Sequence, residues 1–194
     1  MELYHGVYRI QSLFGDRNLF QYLFVGDNVL LVDTGVAATP EKAIFPYMDS
    51  LKLKPARLTL AITTHSDTDH QGGNSAIKRI CPSTWLGCGE GDRLLVEDPR
   101  TLYDVRYNFL RAEHEVGFEA DPTPEAGRAR KMDLTFSGGE KIRLSDDWML
   151  EVLHVPGHSH GHLALHDRKH CAAFAGDPSM DGDVRKPRGE CRSP

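Results

Sequence analysis

The amino-acid sequence predicts an α/β domain. Short apolar segments rich in β-branched and aromatic residues alternate with segments of helical periodicity. The chain has 194 residues, 40% of them hydrophobic and 26% charged, which suits one soluble domain with a sizeable core. No internal repeat or low-complexity segment interrupts this pattern.

The elements follow in order. Val7 to Ile10, Leu19 to Val25 and Val29 to Val32 read as strands separated by Gly, Asp and Asn turns. Thr39 to Leu51 reads as a helix. Thr39 is placed to cap it, Pro40 suits its first turn, and Ile44, Tyr47, Met48 and Leu51 share one face. Leu58 to Thr63 is a short apolar strand, Asn74 to Ile80 is helical, and Thr84 to Leu86 is another strand. Gly91 to Lys131 is charged and mostly helical, with Pro99, Pro122 and Pro124 as breakers. Strands return at Leu134 to Phe136, Met149 to Val155, Leu163 to His166 and Cys171 to Ala175. The basic, proline-bearing stretch from Asp181 reads as a disordered tail, which leaves residues 1–180 as the domain.

The formal net charge of −5 supplies no basic footprint for nucleic acid or an anionic membrane. No apolar run reaches the length of a membrane span, and the start MELYHGVYRI lacks a basic segment followed by an apolar one. Cys81, Cys88, Cys171 and Cys191 have the spacing of neither a disulfide framework nor a thiolate zinc knuckle. The default expectation is a cytoplasmic protein with a small-molecule substrate. Histidine is the unusual count, at ten.

Candidate chemistry sits at the ends of strands. In LAITTHSDTDHQGG, a buried strand runs into His65, Asp67, Asp69 and His70, with Gly72 and Gly73 behind them. A strand fixes the loop that follows it, and paired glycines let the backbone fold closely around a cluster. Imidazole suits zinc and iron, and carboxylates add harder oxygen ligands. The competing reading is a solvated turn rich in His and Asp. In HVPGHSHGHLAL, His158 follows a strand at once. His160 reads as a solvated turn residue and His162 as a support to the site. His166 and His170 flank a hairpin turn and read as surface residues. AAFAGDPS ends a strand in Asp177, and NVLLVDTG ends one in Asp33. Either aspartate alone would be turn chemistry. Four strands ending in Asp or His make a site the better reading.

VDTG, THSDTDHQGG, PGHSHGHL and AGD occur in the order that marks the metallo-β-lactamase superfamily, which the chain resembles over about nine-tenths of its length. The resemblance implies an αββα sandwich with a metal site at one edge between two sheets. It places His65, Asp67 and His158 on a first metal and Asp69 and His70 on a second. Asp177 would bridge them, and Asp33 would support the metal-binding loop. Two divalent ions are implied, zinc first.

Two departures qualify the resemblance. Asp67 stands where the family motif HxHxDH has its middle histidine, which shifts preference towards iron or manganese or leaves a weaker, mononuclear site. The flavodiiron members also carry a carboxylate there. After Asp177 only seventeen residues remain and none is histidine, so the family's further histidine, last strand and helix are not expected here. A second copy of the chain could supply the missing cover, which makes a homo-oligomer conceivable.

The reaction implied is hydrolysis of an ester, thioester, lactone, amide or phosphoester by a metal-bound hydroxide, with Asp69 orienting the nucleophile. Gly91 to Lys131 could wall the pocket as a lid or be a structural insertion. Two alternatives stand beside the hydrolase: an iron-dependent oxidoreductase or dioxygenase on the same fold, and a shortened, non-catalytic metal-binding product.

Overall fold

The computed structural model describes residues 1–107 and 123–177. Two β-sheets face each other. The larger begins as an antiparallel meander of β1 (Glu2–Tyr4), β2 (Val7–Phe14), β3 (Arg17–Val25) and β4 (Val29–Val32). It continues in parallel through β5 (Leu58–Thr63), β6 (Trp85–Gly89) and β7 (Leu134–Phe136). Parallel neighbours need long crossovers. Helix α1 (Phe45–Ser50) lies in the first crossover, and α2 (Thr68–Gln71) and α3 (Asn74–Ile80) lie in the second. The smaller sheet is antiparallel, in the order β11 (Ala172–Phe174), β10 (Leu163–Asp167), β9 (Trp148–His154), β8 (Lys141–Ser145).

Strand β4 reads VLLV and is buried throughout, as a strand covered on both faces must be. Its alternate residues serve different layers. Leu30 and Val32 join Phe24 and Ile62 against Trp148, Leu150, Val152, Leu163, Leu165 and Phe174 of the second sheet. Leu31 joins Leu23, Ala61 and Leu86 on the opposite face, under Ile44 and Met48 of the helical segment before β5 and Ile77 of α3. Phe174 meets Phe24 edge-on at 4.8 Å between ring centroids, which pins the short β11 to the larger sheet.

The helix expected from Thr39 takes a different form. A π-helical turn, Pro40–Ile44, precedes α1, and the Phe45 N–H bonds to the Pro40 carbonyl. Pro46 has no N–H to give to the preceding turn, so the chain widens rather than leave a strained helix. Thr39 does not cap this segment; its hydroxyl accepts from Val36 N at 3.1 Å.

Strands β1 and β8 were not expected from the sequence. The stretch expected to be mostly helical holds only short turns among its described residues: α4 (Arg93–Glu97), α5 (Pro99–Leu102), a π-turn (Tyr103–Tyr107) and α6 (Thr123–Ala126). Phe109 and Leu110, two of the apolar residues of that stretch, and the expected tail from Asp181 lie outside the described residues. His170 is not a surface residue. It bonds through Nδ1 to buried Asp167 at 2.7 Å and stacks on Tyr4. Cys81 and Cys88 are free and buried, whereas Cys171 is disulfide-bonded, against the expectation from spacing. Among the described residues, no helix is long and apolar enough to cross a membrane.

The topology fixes where the strand ends meet. Strands β4 and β5 are parallel, so Asp33 and the loop carrying His65 leave the larger sheet at the same edge. Strands β9 and β11 both run antiparallel to β10, so the loop carrying His158 and the turn carrying Asp177 leave the smaller sheet together.

Candidate metal centre

The loop after β5 is built to hold its side chains inward. His65 and Ser66 are buried, and Asp67 has extended backbone immediately before α2, with its side chain not used as a cap. Gly72 and Gly73 permit the close return of this segment. A Cβ on Gly72 would lie 2.2 Å from the Glu125 carbonyl oxygen, and one on Gly73 would lie 2.3 Å from that of Thr34.

Two groups of possible ligands form, each with its donor atoms within 4.8 Å of one another: His65, Asp67 and His158, and His65, His70 and Asp177. Both are sets of two imidazoles and one carboxylate. His65 belongs to both. Its Nδ1 lies 3.1 Å from the Thr64 hydroxyl, while its Nε2 is buried and has no hydrogen-bond partner. A buried polar atom without a partner is costly. This one lies 3.4 Å from Asp67 Oδ2. The donor chemistry and the bare nitrogen both fit a divalent transition-metal ion.

Asp33 sits behind the centre with its backbone in the left-handed region, φ +61°. Its carboxylate accepts from Thr64 N at 2.7 Å and from the Thr64 hydroxyl, and its Oδ2 lies 2.8 Å from His70 Nδ1. This leaves His70 Nε2 facing Asp177 Oδ2 at 3.6 Å. Burial works against a charged His70, but the Asp33 carboxylate beside it and Asp177 raise its pKa well above the usual range. The His70 contact in turn holds Asp177 down to about 2.

His162 is fully buried, with its ring 4.9 Å from that of His65 and its Nε2 2.7 Å from the Ala175 carbonyl oxygen. Burial and the neighbouring His65 lower its pKa to about 4. It touches the centre and belongs to neither ligand group. Asp69 is half-buried on α2 and is also in neither group. His160 is exposed.

The profile of the Metallo-beta-lactamase superfamily matches residues 15–191. The chain belongs to the metallo-beta-lactamase superfamily.

Among superfamily relatives, the chain is 28% identical to the acyl-coenzyme A thioesterase MBLAC2 of Homo sapiens, over 92% of this chain and 65% of that protein. It is 28% identical to a hydroxyacylglutathione hydrolase of Cereibacter sphaeroides, over 82% of this chain and 48% of that protein. The chain therefore spans less than two thirds of the length of either. A metallo-beta-lactamase family protein of Thermus thermophilus shares the fold with a TM-score of 0.73 at 19% identity, over 93% of this chain and 62% of that one. A class B3 di-zinc metallo-beta-lactamase from an Alaskan soil metagenome does so with a TM-score of 0.61 at 24% identity, over 82% and 57%.

Three residues at this superfamily centre escaped the sequence reading. Arg106, in the π-turn after α5, sends Nε to Asp67 Oδ1 at 2.5 Å and Nη2 to Asp67 Oδ2 at 3.0 Å. Its Nη1 donates to the His158 carbonyl at 3.0 Å, and Nη2 lies 3.2 Å from His158 Nε2. Burial raises the pKa of Asp67, but His158, His65 and Arg106 outweigh it and hold the carboxyl well below the usual range. Tyr107 places its hydroxyl 2.9 Å from Thr68 N at the head of α2. Asp92 is buried between the two loops. It accepts from Ser66 N at 3.1 Å, Ser159 Oγ at 2.5 Å and Gly161 N at 2.8 Å. Arg106 and Tyr107 had no local signal. Asp92 did have one, since it lies just past the end of a strand, β6, as Asp33 and Asp177 lie just past β4 and β11.

Proposed function

We propose that this chain is a metal-dependent hydrolase of an acyl substrate, with a thioester as the first class to test. The observation that carries the reading is the bare, buried Nε2 of His65 at the junction of both ligand groups. The relatives support the substrate class, because coenzyme A and glutathione both carry acyl groups on sulfur.

His65, His70 and Asp177 would hold one ion, and Asp67 and His158 offer donors for another. Divalent ions in such a site supply Lewis acidity, polarising an acyl oxygen and lowering the pKa of water towards neutrality. The chain's own residues do the rest. Asp33 orients His70, Asp92 ties the two ligand loops together, and His162, neutral at physiological pH, packs beside His65 without adding charge. Asp69 is the half-buried carboxylate on the ligand helix that we assign to orienting the nucleophile and receiving its proton. The turns carrying Arg106 and Tyr107 wall the site on one side.

The test is elemental analysis of protein purified without added metal, together with release of thiol from acyl-coenzyme A and acyl-glutathione probes. Loss of turnover on chelation and return on adding zinc supports the reading. Full turnover by the metal-stripped chain overturns it.

A second reading is favoured by the composition of the ligand groups. Two histidines with one carboxylate is the donor set of non-haem iron oxygenases, and Asp67 makes the first group one of these. Iron in the purified chain, with oxygen consumption and no thiol release, would select it.

A further inference from the structure

The donors of the first ligand group already hold a cation, and it is part of the chain. Arg106 engages both oxygens of Asp67 and lies 3.2 Å from His158 Nε2, the ring atom that itself sits 2.8 Å from Asp67 Oδ2. Its remaining nitrogen is fixed by the His158 carbonyl. The side chains involved are mostly buried, at 16% exposure for Arg106, 17% for Asp67 and 12% for His158. A planar guanidinium matched to a carboxylate in this way is a strong, directional ion pair. The second group is held differently. His65, His70 and Asp177 have no arginine or lysine among their contacts in the described residues, and Asp33 orients His70 from behind. His65 presents one bare nitrogen, which can serve one ion at a time.

We infer that Arg106 is an internal competitor for metal at Asp67 and His158, so that the chain loads its first ion at His65, His70 and Asp177 and gains a second only by displacing the guanidinium. The inference rests on the reading of this cluster as a metal centre. Two consequences follow from charge alone. A cation entering beside Asp67 must break two hydrogen bonds from Arg106, and until the guanidinium leaves it meets a fixed positive charge. Removing that charge makes the site both vacant and more negative.

The experiment titrates the chelator-treated chain with Zn²⁺ and with Co²⁺, following heat by calorimetry and the cobalt visible bands. The variants are Arg106→Gln, Arg106→Lys, Asp67→Asn and Asp177→Asn, each checked for folding by circular dichroism. Wild type is expected to show one tight ion and a second weaker by about tenfold or more, and Arg106→Gln to tighten the second by a similar factor. Arg106→Lys, which keeps the charge but loses the fork, falls between. Asp177→Asn abolishes the tight event in an otherwise wild-type chain, whereas Asp67→Asn leaves it in place. That pair tests the order of loading, and if Arg106→Gln fails to fold, Arg106→Lys tests the competition, with a second event as weak as in wild type counting against it. The inference is overturned if Arg106→Gln titrates like wild type, or if Asp67→Asn weakens the tight event as much as Asp177→Asn does. In both of those cases the chain still binds metal and the centre stands. Absence of any binding by wild type overturns the centre itself.

Discussion

Asp33 holds His70 from behind, with Oδ2 2.8 Å from Nδ1, while the same carboxylate accepts the Thr64 N–H at 2.7 Å. One side chain at the end of β4 therefore sets both the ring of one candidate ligand and the backbone beside another, His65. Asp33→Asn keeps the size and tolerates the left-handed backbone that this position requires, φ +61°. It loses the charge that faces His70. Metal affinity should fall by about 10- to 100-fold with little change in the melting temperature of the metal-free chain. Calorimetric titration with zinc beside a thermal melt checks both halves. An unchanged affinity would show that His70 does not need this orientation.

Asp92 gives a stability prediction. It accepts from Ser66 N and Gly161 N, both backbone groups of buried residues, and from the Ser159 hydroxyl. Asp92→Ala leaves these donors without partners and should cost about 3 kcal/mol or more. Asp92→Asn keeps acceptor capacity on one oxygen only and should cost less. Gly161→Ala should fail for a steric reason, because its Cβ would lie 2.3 Å from Asp92 N. Urea unfolding of the metal-free variants gives the values. Losses below about 1 kcal/mol for Asp92→Ala would mean that water replaces the carboxylate.

The contrast between Asp33 and Arg106 explains what the sequence reveals. Asp33, His65, His158 and Asp177 each lie within four residues of the end of an apolar strand, and the pattern of strands determines that their ends converge. Local chemistry and topology agree there, so the site was legible before the fold was known. Arg106 lies thirty-nine residues beyond Asp67 and fifty-two before His158, in a turn whose neighbours give no reason to expect it at a metal centre. Its place depends on tertiary packing alone. The same distinction separates β4 from β8. VLLV, short, apolar and bounded by turn residues, reads as a buried strand, whereas KIRLS alternates exposed Lys141 and Arg143 with a single fully buried residue, Leu144, and among the described residues pairs only with β9. Pro46 carried the signal for the π-turn, which the apolar periodicity of the same segment overrode.

Acid should weaken one identifiable contact away from the metal centre. Glu97, on α4, accepts from Met132 N at 3.0 Å, Lys131 Nζ at 2.8 Å and Arg93 Nε at 3.1 Å. Burial opposes its ionisation, but these partners prevail and lower its pKa below the ordinary 4.5. A depressed carboxyl pKa contributes stability that is complete above the unfolded-state value and is lost as pH falls through the folded-state value. Glu97→Gln should therefore cost about 1–2 kcal/mol at pH 7, and the gap from wild type should begin to narrow below about pH 4.5 and close once pH has fallen through the lower folded-state value. Urea midpoints at several pH values, with chelator present, measure the gap. A gap that stays constant into acid would assign the loss to packing.

Cys88 gives a prediction on reactivity. It lies in β6, opposite Thr63 of β5 and Thr135 of β7, with no exposed surface. Burial, reinforced by the charges of Asp92 and Glu97, pushes its thiol up to about 12. At pH 8 only about one such thiol in ten thousand is ionised, and the thiolate is the form that attacks a disulfide or an alkylating agent. Cys81 is also buried, with Sγ 3.3 Å from the Pro55 carbonyl oxygen and a pKa raised by burial. Neither low thiolate content nor burial is relieved by local motion of a surface loop, since Cys88 is flanked by strands on both sides. Its labelling must wait for the larger sheet to open. In native protein, modification of Cys88 by an aromatic disulfide reagent should be slow and follow the unfolding rate, rising with urea and becoming independent of reagent concentration. Peptide mapping identifies which cysteine has reacted. Rapid labelling of Cys88 in the absence of denaturant, at a rate proportional to reagent, would show that β6 separates from its neighbours within the native state.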